Sequence, residues 1–187
     1  FTLLQWKDWF TKTAALLMSR CPPEGVTIFF QSDIKFEGTW VDKSYLCQKA
    51  AESLDHHLLW HKIICRAPAG IVTQGRPAYS HMLCFSSQID KAHDDKIWAQ
   101  TTADVISQTG DKLWARGMGL EACTIAVRFI NEQTGTRTVV NPFCGQGSVL
   151  AVANYLGLKA IGIERSPKRA QKARELKMSA DGKSWME

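Results

Sequence analysis

A short segment of the chain combines a strand, a glycine-containing turn and a helix in a pattern that favours binding of a small charged ligand. Residues 138–150 read TVVNPFCGQGSVL, so a β-branched strand runs into the turn and then directly into a helix. Glycine lets backbone N–H groups approach a ligand closely, and a helix N-terminus carries partial positive charge. The segment therefore predicts a site for a carboxylate or phosphate at this turn.

A carboxylate follows the next predicted strand. Residues 160–164 read AIGIE and end at Glu164, far enough beyond Gly147 for one crossover helix. An acidic residue at the tip of the second strand of a doubly wound sheet is placed to accept hydrogen bonds from both hydroxyls of a ribose. A nicotinamide or flavin dinucleotide is disfavoured, because Leu150 stands where the third glycine of a G-x-G-x-x-G turn belongs. The alternative is a βαβ packing unit whose glycines only ease a tight turn.

The elements around these residues predict an α/β fold. The C-terminal third alternates strand, helix, strand and helix, which is typical of a parallel sheet with crossover helices. Asp42 is predicted to cap a helix that runs to about Leu54, and two later strands are expected to form an antiparallel pair. The predicted helices span 3–19, 42–54, 119–130, 148–156 and 167–178, and the predicted strands span 26–30, 57–65, 79–86, 136–141 and 159–164.

The strand–turn–helix–strand–acid unit resembles the cofactor-binding motifs of Rossmann-like S-adenosylmethionine-dependent methyltransferases. It is most similar to the amino-methyltransferases of DNA and RNA, whose first motif reads Asp-Pro-Phe-x-Gly-x-Gly-[Ser/Thr]. The resemblance implies that the turn cradles the methionine part of S-adenosylmethionine and that Glu164 holds its ribose. Asn141 stands where the family has an acidic residue. The implied cofactor-binding residues are Asn141, Pro142, Phe143, Cys144, Gly145, Gln146, Gly147, Ser148, Glu164, Arg165, Gly117 and Met118.

The order of the elements resembles the circularly permuted members of this family, in which the substrate-binding half comes first. The resemblance implies a Rossmann-like doubly wound mixed sheet with an antiparallel hairpin element, in permuted order, with further strands upstream of Phe1. It also implies one methyltransferase-like domain over residues 1–187. Within that domain we expect a substrate-side half at 1–86, a polar connection at 87–112 with at most one short helix, and a cofactor-binding half at 113–187.

The same resemblance implies a catalytic [Asp/Asn/Ser]-Pro-Pro-aromatic motif, which we do not find in this sequence. The Pro22-Pro23 pair follows a predicted helix, precedes Glu24 and is interpreted as a helix stop. The catalytic residues are therefore unknown, and the motif is expected upstream of Phe1. Two classes stay open: an enzyme that methylates a base amino group, and an inactive methyltransferase-fold module that scaffolds a partner. Methylation of a protein or small molecule is a third possibility.

Nucleic acid is the substrate that the resemblance implies, and RNA is favoured over DNA. Sequence-specific DNA members of the permuted group insert a sizeable recognition region after the last hairpin strand, whereas only residues 87–112 occupy that place here. Lys and Arg number 23 against 18 Asp and Glu, and the resulting net charge of +5 is compatible with a polyanionic partner. A partner subunit that completes the site is also considered.

Other polar residues are interpreted mainly as structural. Asp33 follows the first strand and is expected to be a solvated loop acid. Arg66, Arg76 and Tyr79 belong to a Gly- and Pro-containing loop suited to phosphate contact and base stacking, although an ordinary hairpin connection looks similar. The histidines have no Cys/His partners at ligand spacing, so no metal site is predicted. Basic residues from Lys168 to Lys177 are expected on the solvated face of the last helix, with Ala170, Ala173 and Leu176 packed inward.

The cysteines and the hydropathy predict a soluble intracellular protein. Six cysteines are scattered among apolar residues without a C-x-x-C pair, which favours free thiols in a reducing compartment, cytoplasmic or nuclear. No apolar run approaches the roughly 20 residues of a membrane span, and no basic-then-apolar leader opens the sequence.

Overall fold

The computed structural model describes residues 2–88, 103–115 and 117–186. Within these ranges the chain forms two compact units, Phe1–Gln108 and Thr109–Glu187. The boundary between them falls inside the predicted 87–112 connection. Most of that connection, including its predicted short helix, lies outside the described residues. No helix in the described ranges is both long enough and apolar enough to cross a membrane.

The first unit is built on a four-stranded mixed sheet. Its elements are α1 (Leu3–Ser19), β1 (Thr27–Gln31), β2 (Ile34–Phe36), β3 (Thr39–Val41), α2 (Lys43–Glu52), β4 (His57–Cys65), β5 (Tyr79–Ser86) and β6 (Val105–Ile106). The sheet order is β1-β5-β4-β6. Strand β5 runs antiparallel to both β1 and β4, which confirms the predicted hairpin, and β6 adds to β4 in parallel.

Helices α1 and α2 cover one face of this sheet. Apolar residues of both helices pack with apolar residues of β1 and β5 in one cluster, which consists of Ala14, Met18, Phe29, Cys47, Ala50, Ala51, Leu83 and Phe85. Each helix begins where its sequence supplies a cap. Thr2 and Gln5 form a capping box at α1, which the sequence analysis did not predict. Asp42 accepts the Tyr45 N–H at α2, which confirms the predicted cap.

The second unit contains a parallel strand pair flanked by helices. Its elements are α3 (Leu120–Gln133), β7 (Thr138–Asn141), α4 (Ser148–Tyr155), β8 (Lys159–Gly162), α5 (Pro167–Glu175), β9 (Lys177–Met178) and β10 (Trp185–Met186). Strands β7 and β8 pair in parallel, with Asn141 opposite Gly162. The predicted α/β class, with a mixed sheet and crossover helices, is therefore confirmed. The permuted order stays a prediction.

One sequence-based prediction about local structure is wrong, and one hairpin was not predicted. The last helix ends at Glu175, because Leu176 is buried in an extended conformation and the chain then enters β9, which pairs with β10. Lys177 therefore lies on a strand and not on the basic helix. Residues 34–41 also form a hairpin that the sequence analysis missed, since β2 and β3 pair antiparallel around a turn at Glu37 and Gly38.

All six cysteines are free thiols, as predicted. Cys47, Cys84 and Cys123 are buried, and Cys21, Cys65 and Cys144 are half-buried. Burial raises the pKa of Cys47 to about 12. The buried thiols therefore act as small apolar core residues.

Candidate functional site

The turn between β7 and α4 lies at the carboxyl edge of the parallel strand pair. The Ile163 N–H donates to the Asn141 carbonyl oxygen at 3.0 Å, and the Cys144 N–H donates to the Ile163 carbonyl oxygen at 3.1 Å. These two bonds tie the turn to the chain that continues β8. Because Glu164 follows Ile163 directly, the turn and this carboxylate lie at the same edge of the strand pair.

Two glycines give the turn its path. Gly145 and Gly147 have φ values of +57° and +89°, in the left-handed region that other residues rarely adopt. A Cβ on Gly147 would also lie 2.9 Å from the Cα of Ala173, so α5 packs against the start of α4 at a distance that only glycine permits. The Gly147 N–H donates to the Cys144 carbonyl at 2.9 Å and closes the turn.

The N-terminus of α4 has no side-chain cap. Gly147 is its N-cap and contributes no side-chain hydrogen bond, so no side chain of the turn caps the first N–H groups of the helix. Ser148, the first helical residue, is buried, whereas 67% of the Phe143 surface is exposed. Free N–H groups and the helix dipole favour an anionic group at this position.

Asn141 orders the turn through its side chain. Its Oδ1 atom accepts a hydrogen bond from the Phe143 N–H at 3.0 Å. This bond spans two residues and forms an Asx turn, which an aspartate forms equally well. The amide in place of an acid is therefore compatible with the observed backbone, and the difference between the two residue types lies in the charge that they present.

Glu164 has a fixed side chain. Its Oε1 atom accepts a hydrogen bond from the Ser166 N–H at 2.8 Å, just before Pro167 begins α5. The side chain is half-buried. A carboxylate has acceptor positions for several donors, so the group can accept ribose hydroxyls while it keeps this bond. Arg165 is exposed beside it. Burial, and then the nearby Glu164, raise the pKa of the Cys144 thiol.

The chain ahead of α3 approaches the glycine turn through a tryptophan. The Cζ2 atom of Trp114 stands 3.7 Å from the position that a Cβ on Gly145 would take, and the Arg169 guanidinium lies 5.1 Å from the Trp114 ring centroid. Gly117 packs on Trp114 as well, since its N–H donates to the Trp114 carbonyl at 2.9 Å. Met118 is half-buried, and its carbonyl faces the Cys123 thiol at 3.9 Å.

Trp114 and Arg169 lie beside the glycine turn, and the sequence analysis did not name them as site residues. A tryptophan in a polar loop was the available signal, but nothing local connects it with a glycine turn some thirty residues later. All twelve predicted cofactor-binding residues belong to the second unit and lie within or beside the turn, the tip of β8 and the loop before α3. Their role in binding stays a prediction.

A second polar cluster lies at one edge of the sheet in the first unit. Strands β1 and β4 run in the same direction, so their carboxyl ends meet the amino end of β5. Asp33 follows β1 and is only 4% exposed, which corrects the expectation of a solvated loop acid. Its Oδ1 atom accepts the Lys43 N–H at 2.9 Å, and its Oδ2 atom accepts the Trp40 Nε1–H at 3.0 Å.

Two histidines continue this cluster. His81 Nε2 lies 3.1 Å from Asp33 Oδ2, and His81 Nδ1 lies 2.9 Å from His61 Nε2. Burial, followed by the neighbouring His81, lowers the pKa of His61. Burial also lowers the pKa of Lys43, against the opposing effect of Asp33. The result is a buried chain of hydrogen bonds from a carboxylate through two imidazoles, which the sequence analysis did not foresee.

Two of the three basic and aromatic loop residues contact this cluster, and the third is exposed to solvent. Arg66 donates to the Ser32 hydroxyl at 3.3 Å, and the Tyr79 ring meets the His81 ring edge-on. Both residues therefore support the cluster. Arg76 is exposed in the loop and stays available for a phosphate contact.

Several solved structures that resemble this chain are DNA methyltransferases by name. A proposed DNA modification methylase from Thermus thermophilus, in complex with S-adenosyl-L-methionine, superposes with a TM-score of 0.69 at 16% identity, over 91% of this chain and 76% of that one. The cytosine-N4-specific PvuII DNA methyltransferase gives 0.68 at 13% identity, over 90% and 69%. The M1.HpyAVI–SAM complex gives 0.58 at 16% identity, over 92% and 82%.

These likenesses establish the fold. The chain has the Rossmann-like α/β fold of S-adenosylmethionine-dependent methyltransferases, as the sequence resemblance implied. No family model and no curated protein matches the sequence.

Proposed function

We propose that the protein binds S-adenosylmethionine at the β7–α4 turn and transfers its methyl group to a base amino group of a nucleic acid. The observation that carries the proposal is the joint placement of the uncapped α4 N-terminus and the Glu164 carboxylate at one edge of a parallel strand pair. The cofactor offers a carboxylate to the first and ribose hydroxyls to the second. Two structural neighbours are complexes with this cofactor.

In this proposal the chain's own residues bind the cofactor and orient it. The α4 N–H groups hold the cofactor carboxylate, Glu164 holds the ribose, and the exposed Phe143 contributes an apolar contact. The cofactor supplies an electrophilic sulfonium methyl group, which moves to the acceptor by in-line displacement. Catalysis of that step depends mainly on positioning the two reactants.

The acceptor is the finer part of the proposal. The fold neighbours are DNA enzymes by name, and we propose a nucleic acid for this chain as well. The net charge of +5 and the exposed Arg76 support a polyanionic substrate. We propose RNA over DNA for a reason of size. Sequence-specific DNA members insert a sizeable recognition region, whereas only the short 87–112 connection occupies that place in this sequence.

Two measurements on the purified protein test the proposal in order. Calorimetry with S-adenosylhomocysteine tests the binding site, and we expect saturable binding with a raised melting temperature. Incubation with S-adenosylmethionine labelled in its methyl group, with bulk RNA and bulk DNA as separate acceptors, then tests transfer. We expect labelled N-methylated bases in digested RNA.

The outcomes separate the candidate functions. Binding without transfer to either nucleic acid favours the second candidate, an inactive methyltransferase-fold module, which Asn141 in place of an acid also supports. Label in DNA alone overturns the RNA preference. Absence of binding to S-adenosylhomocysteine at millimolar concentration, with binding of a nicotinamide dinucleotide instead, overturns the cofactor proposal.

A further inference from the structure

We propose that Asp33, Asp42 and His81 form a binding site for a divalent transition-metal ion in the first unit. One carboxylate oxygen from each aspartate and one ring nitrogen of the histidine all lie within 4.8 Å of one another. Ligand atoms bound at about 2.0–2.2 Å from a shared ion stand at most about 4.4 Å apart. Small side-chain rotations therefore bring the three groups to coordination distance. The sequence analysis predicted no metal site, because the three residues come from separate elements.

The protein holds the two carboxylates in position through hydrogen bonds. Asp33 accepts the Lys43 N–H through Oδ1 and the Trp40 Nε1–H through Oδ2. The Oδ1 atom of Asp42 accepts the Ser44 hydroxyl at 2.7 Å and the Tyr45 N–H at 3.0 Å. Each carboxylate is thus oriented before any ion binds, which lowers the entropy cost of coordination.

The imidazole has a partner that can accept a hydrogen bond from the required tautomer. Coordination through His81 Nε2 needs its lone pair there and its proton on Nδ1. In the structure His81 Nε2–H donates to Asp33 Oδ2 at 3.1 Å, and His81 Nδ1 accepts from His61 Nε2 at 2.9 Å. Ion binding reverses the second bond, so that His81 Nδ1–H donates to His61 Nε2 and His61 carries its proton on its own Nδ1. Both rings stay neutral in this arrangement, so no proton is gained or lost. A ligating histidine typically donates its other N–H to such a second partner. His61 is therefore a positioning residue.

The cluster contains a buried carboxylate with cationic side chains nearby. Asp33 is 4% exposed and His81 is 7% exposed, so a carboxylate is buried beside an imidazole. Lys43 supplies one positive charge nearby, with its Nζ atom 3.4 Å from Gln31 Oε1. Arg66, which donates to the Ser32 hydroxyl at 3.3 Å, is a second cation near the cluster, so a bound ion has to be held by coordination and not by an excess of negative charge.

The ligand set indicates which ions fit. Two carboxylate oxygens and one imidazole nitrogen suit Zn²⁺ or Mn²⁺, whereas Mg²⁺ prefers an octahedral shell of oxygens with several waters. Asp42 is exposed, so the site opens to solvent on its side. Three protein ligands with an open position are typical of reactive zinc sites, unlike the closed four-ligand structural sites. The proposal is independent of methyl transfer.

Manganese is the better first probe, because the six free thiols of this chain bind Zn²⁺ but have little affinity for Mn²⁺. We would strip the protein with a chelator, titrate it with Mn²⁺ and count bound ions by electron paramagnetic resonance. We expect one site per chain that is retained in tenfold excess Mg²⁺ and displaced by Zn²⁺.

Two variants and one control locate the site. Asp42→Asn keeps a good N-cap for α2 and removes the carboxylate charge, so the helix is retained. We expect at least tenfold weaker Mn²⁺ binding in Asp42→Asn and in His81→Gln, and unchanged binding in His57→Gln, which alters an exposed histidine of β4. Circular dichroism checks the fold of each variant. No binding of either ion at millimolar concentration, or equal binding in wild type and Asp42→Asn, overturns the proposal.

Discussion

The Asn141 side chain accepts a hydrogen bond from the Phe143 N–H, with 3.0 Å between Oδ1 and N. The bond sets the direction of the turn that leads to the uncapped N-terminus of α4. It uses the carbonyl oxygen of the amide, so it is insensitive to whether residue 141 is Asn or Asp. The sequence difference from the methyltransferase motif therefore changes the charge at the site and leaves the turn in place.

Replacing Asn141 by Asp tests this separation of geometry from charge. Asn141→Asp keeps the acceptor and adds a negative charge that attracts the ammonium group of S-adenosylmethionine. Charged and neutral hydrogen bonds differ by about 1 kcal/mol, so we expect several-fold tighter binding by calorimetry at matched pH and salt. Asn131→Asp, at the exposed end of α3, is the control for a change in net charge alone. An unchanged affinity in Asn141→Asp would mean that another group, such as the Glu121 carboxylate in the first turn of α3, already neutralises the ammonium.

Glu164 is predicted to carry much of the ribose affinity. Hydrogen bonds to a charged group contribute about 1.5–3 kcal/mol each, so we expect Glu164→Ala to weaken S-adenosylhomocysteine binding at least tenfold. Glu164→Gln keeps an acceptor oxygen without the charge, so its affinity for S-adenosylhomocysteine should lie between those of the wild type and Glu164→Ala. Calorimetry on these variants and on Glu132→Ala, an exposed acid at the end of α3, measures the effect. Wild-type affinity in a folded Glu164→Ala protein would falsify the assignment of the carboxylate to the ribose.

Gly147 is predicted to be essential for the stability of the second unit. An alanine there has to adopt φ near +89° and places its Cβ 2.9 Å from the Ala173 Cα. A left-handed conformation alone costs about 1–2 kcal/mol, so we expect Gly147→Ala to lower the free energy of unfolding by at least that amount. Gly135→Ala is the matched control, since its Cβ would meet nothing within 4 Å, and we expect between no change and a gain of about 1 kcal/mol. Urea unfolding of both variants provides the comparison, and equal stabilities would contradict the close packing of α4 on α5.

The Cys144 thiol offers a chemical probe of the proposed site. Burial and the Glu164 carboxylate raise the pKa of this thiol, so the reactive thiolate is scarce near neutral pH and labelling by a maleimide should be slow. We expect S-adenosylhomocysteine to slow it further, because the ligand would lie over the turn. Cys65, half-buried in the other unit, should keep its labelling rate. Mass spectrometry of digested protein follows each cysteine, with Cys144→Ser to assign the peptide. Equal protection of both thiols would indicate general tightening of the protein and not occupancy of the turn.

The sequence determined the elements that depend on local interactions. The strand–turn–helix segment 138–150 was predictable because β-branched residues, two glycines and an apolar helix follow one another directly along the chain. The Asp42 cap and the two long antiparallel strands were predictable for the same reason, since their patterns lie within a few residues. The fold class followed from the alternation of these elements.

Only the tertiary structure decided where the last helix stops and which distant residues meet. Leu176 continues the helical spacing of Ala170 and Ala173, but burial in an extended conformation and pairing of β9 with β10 override that spacing. Trp114 reaches the Gly145 turn and stacks on Arg169, although no local pattern relates the three positions.

The Asp33–His81 contact shows the physical reason for this division. The two residues are 48 positions apart, and each looks like an ordinary polar residue within its own segment. Strand register brings His81 to the edge where β1 ends, and the sheet then buries Asp33 beside it with the Trp40 and Lys43 donors. Hydrogen-bond partners that satisfy a buried charge come from whichever elements the sheet places side by side, so they follow from the packing and not from sequence spacing.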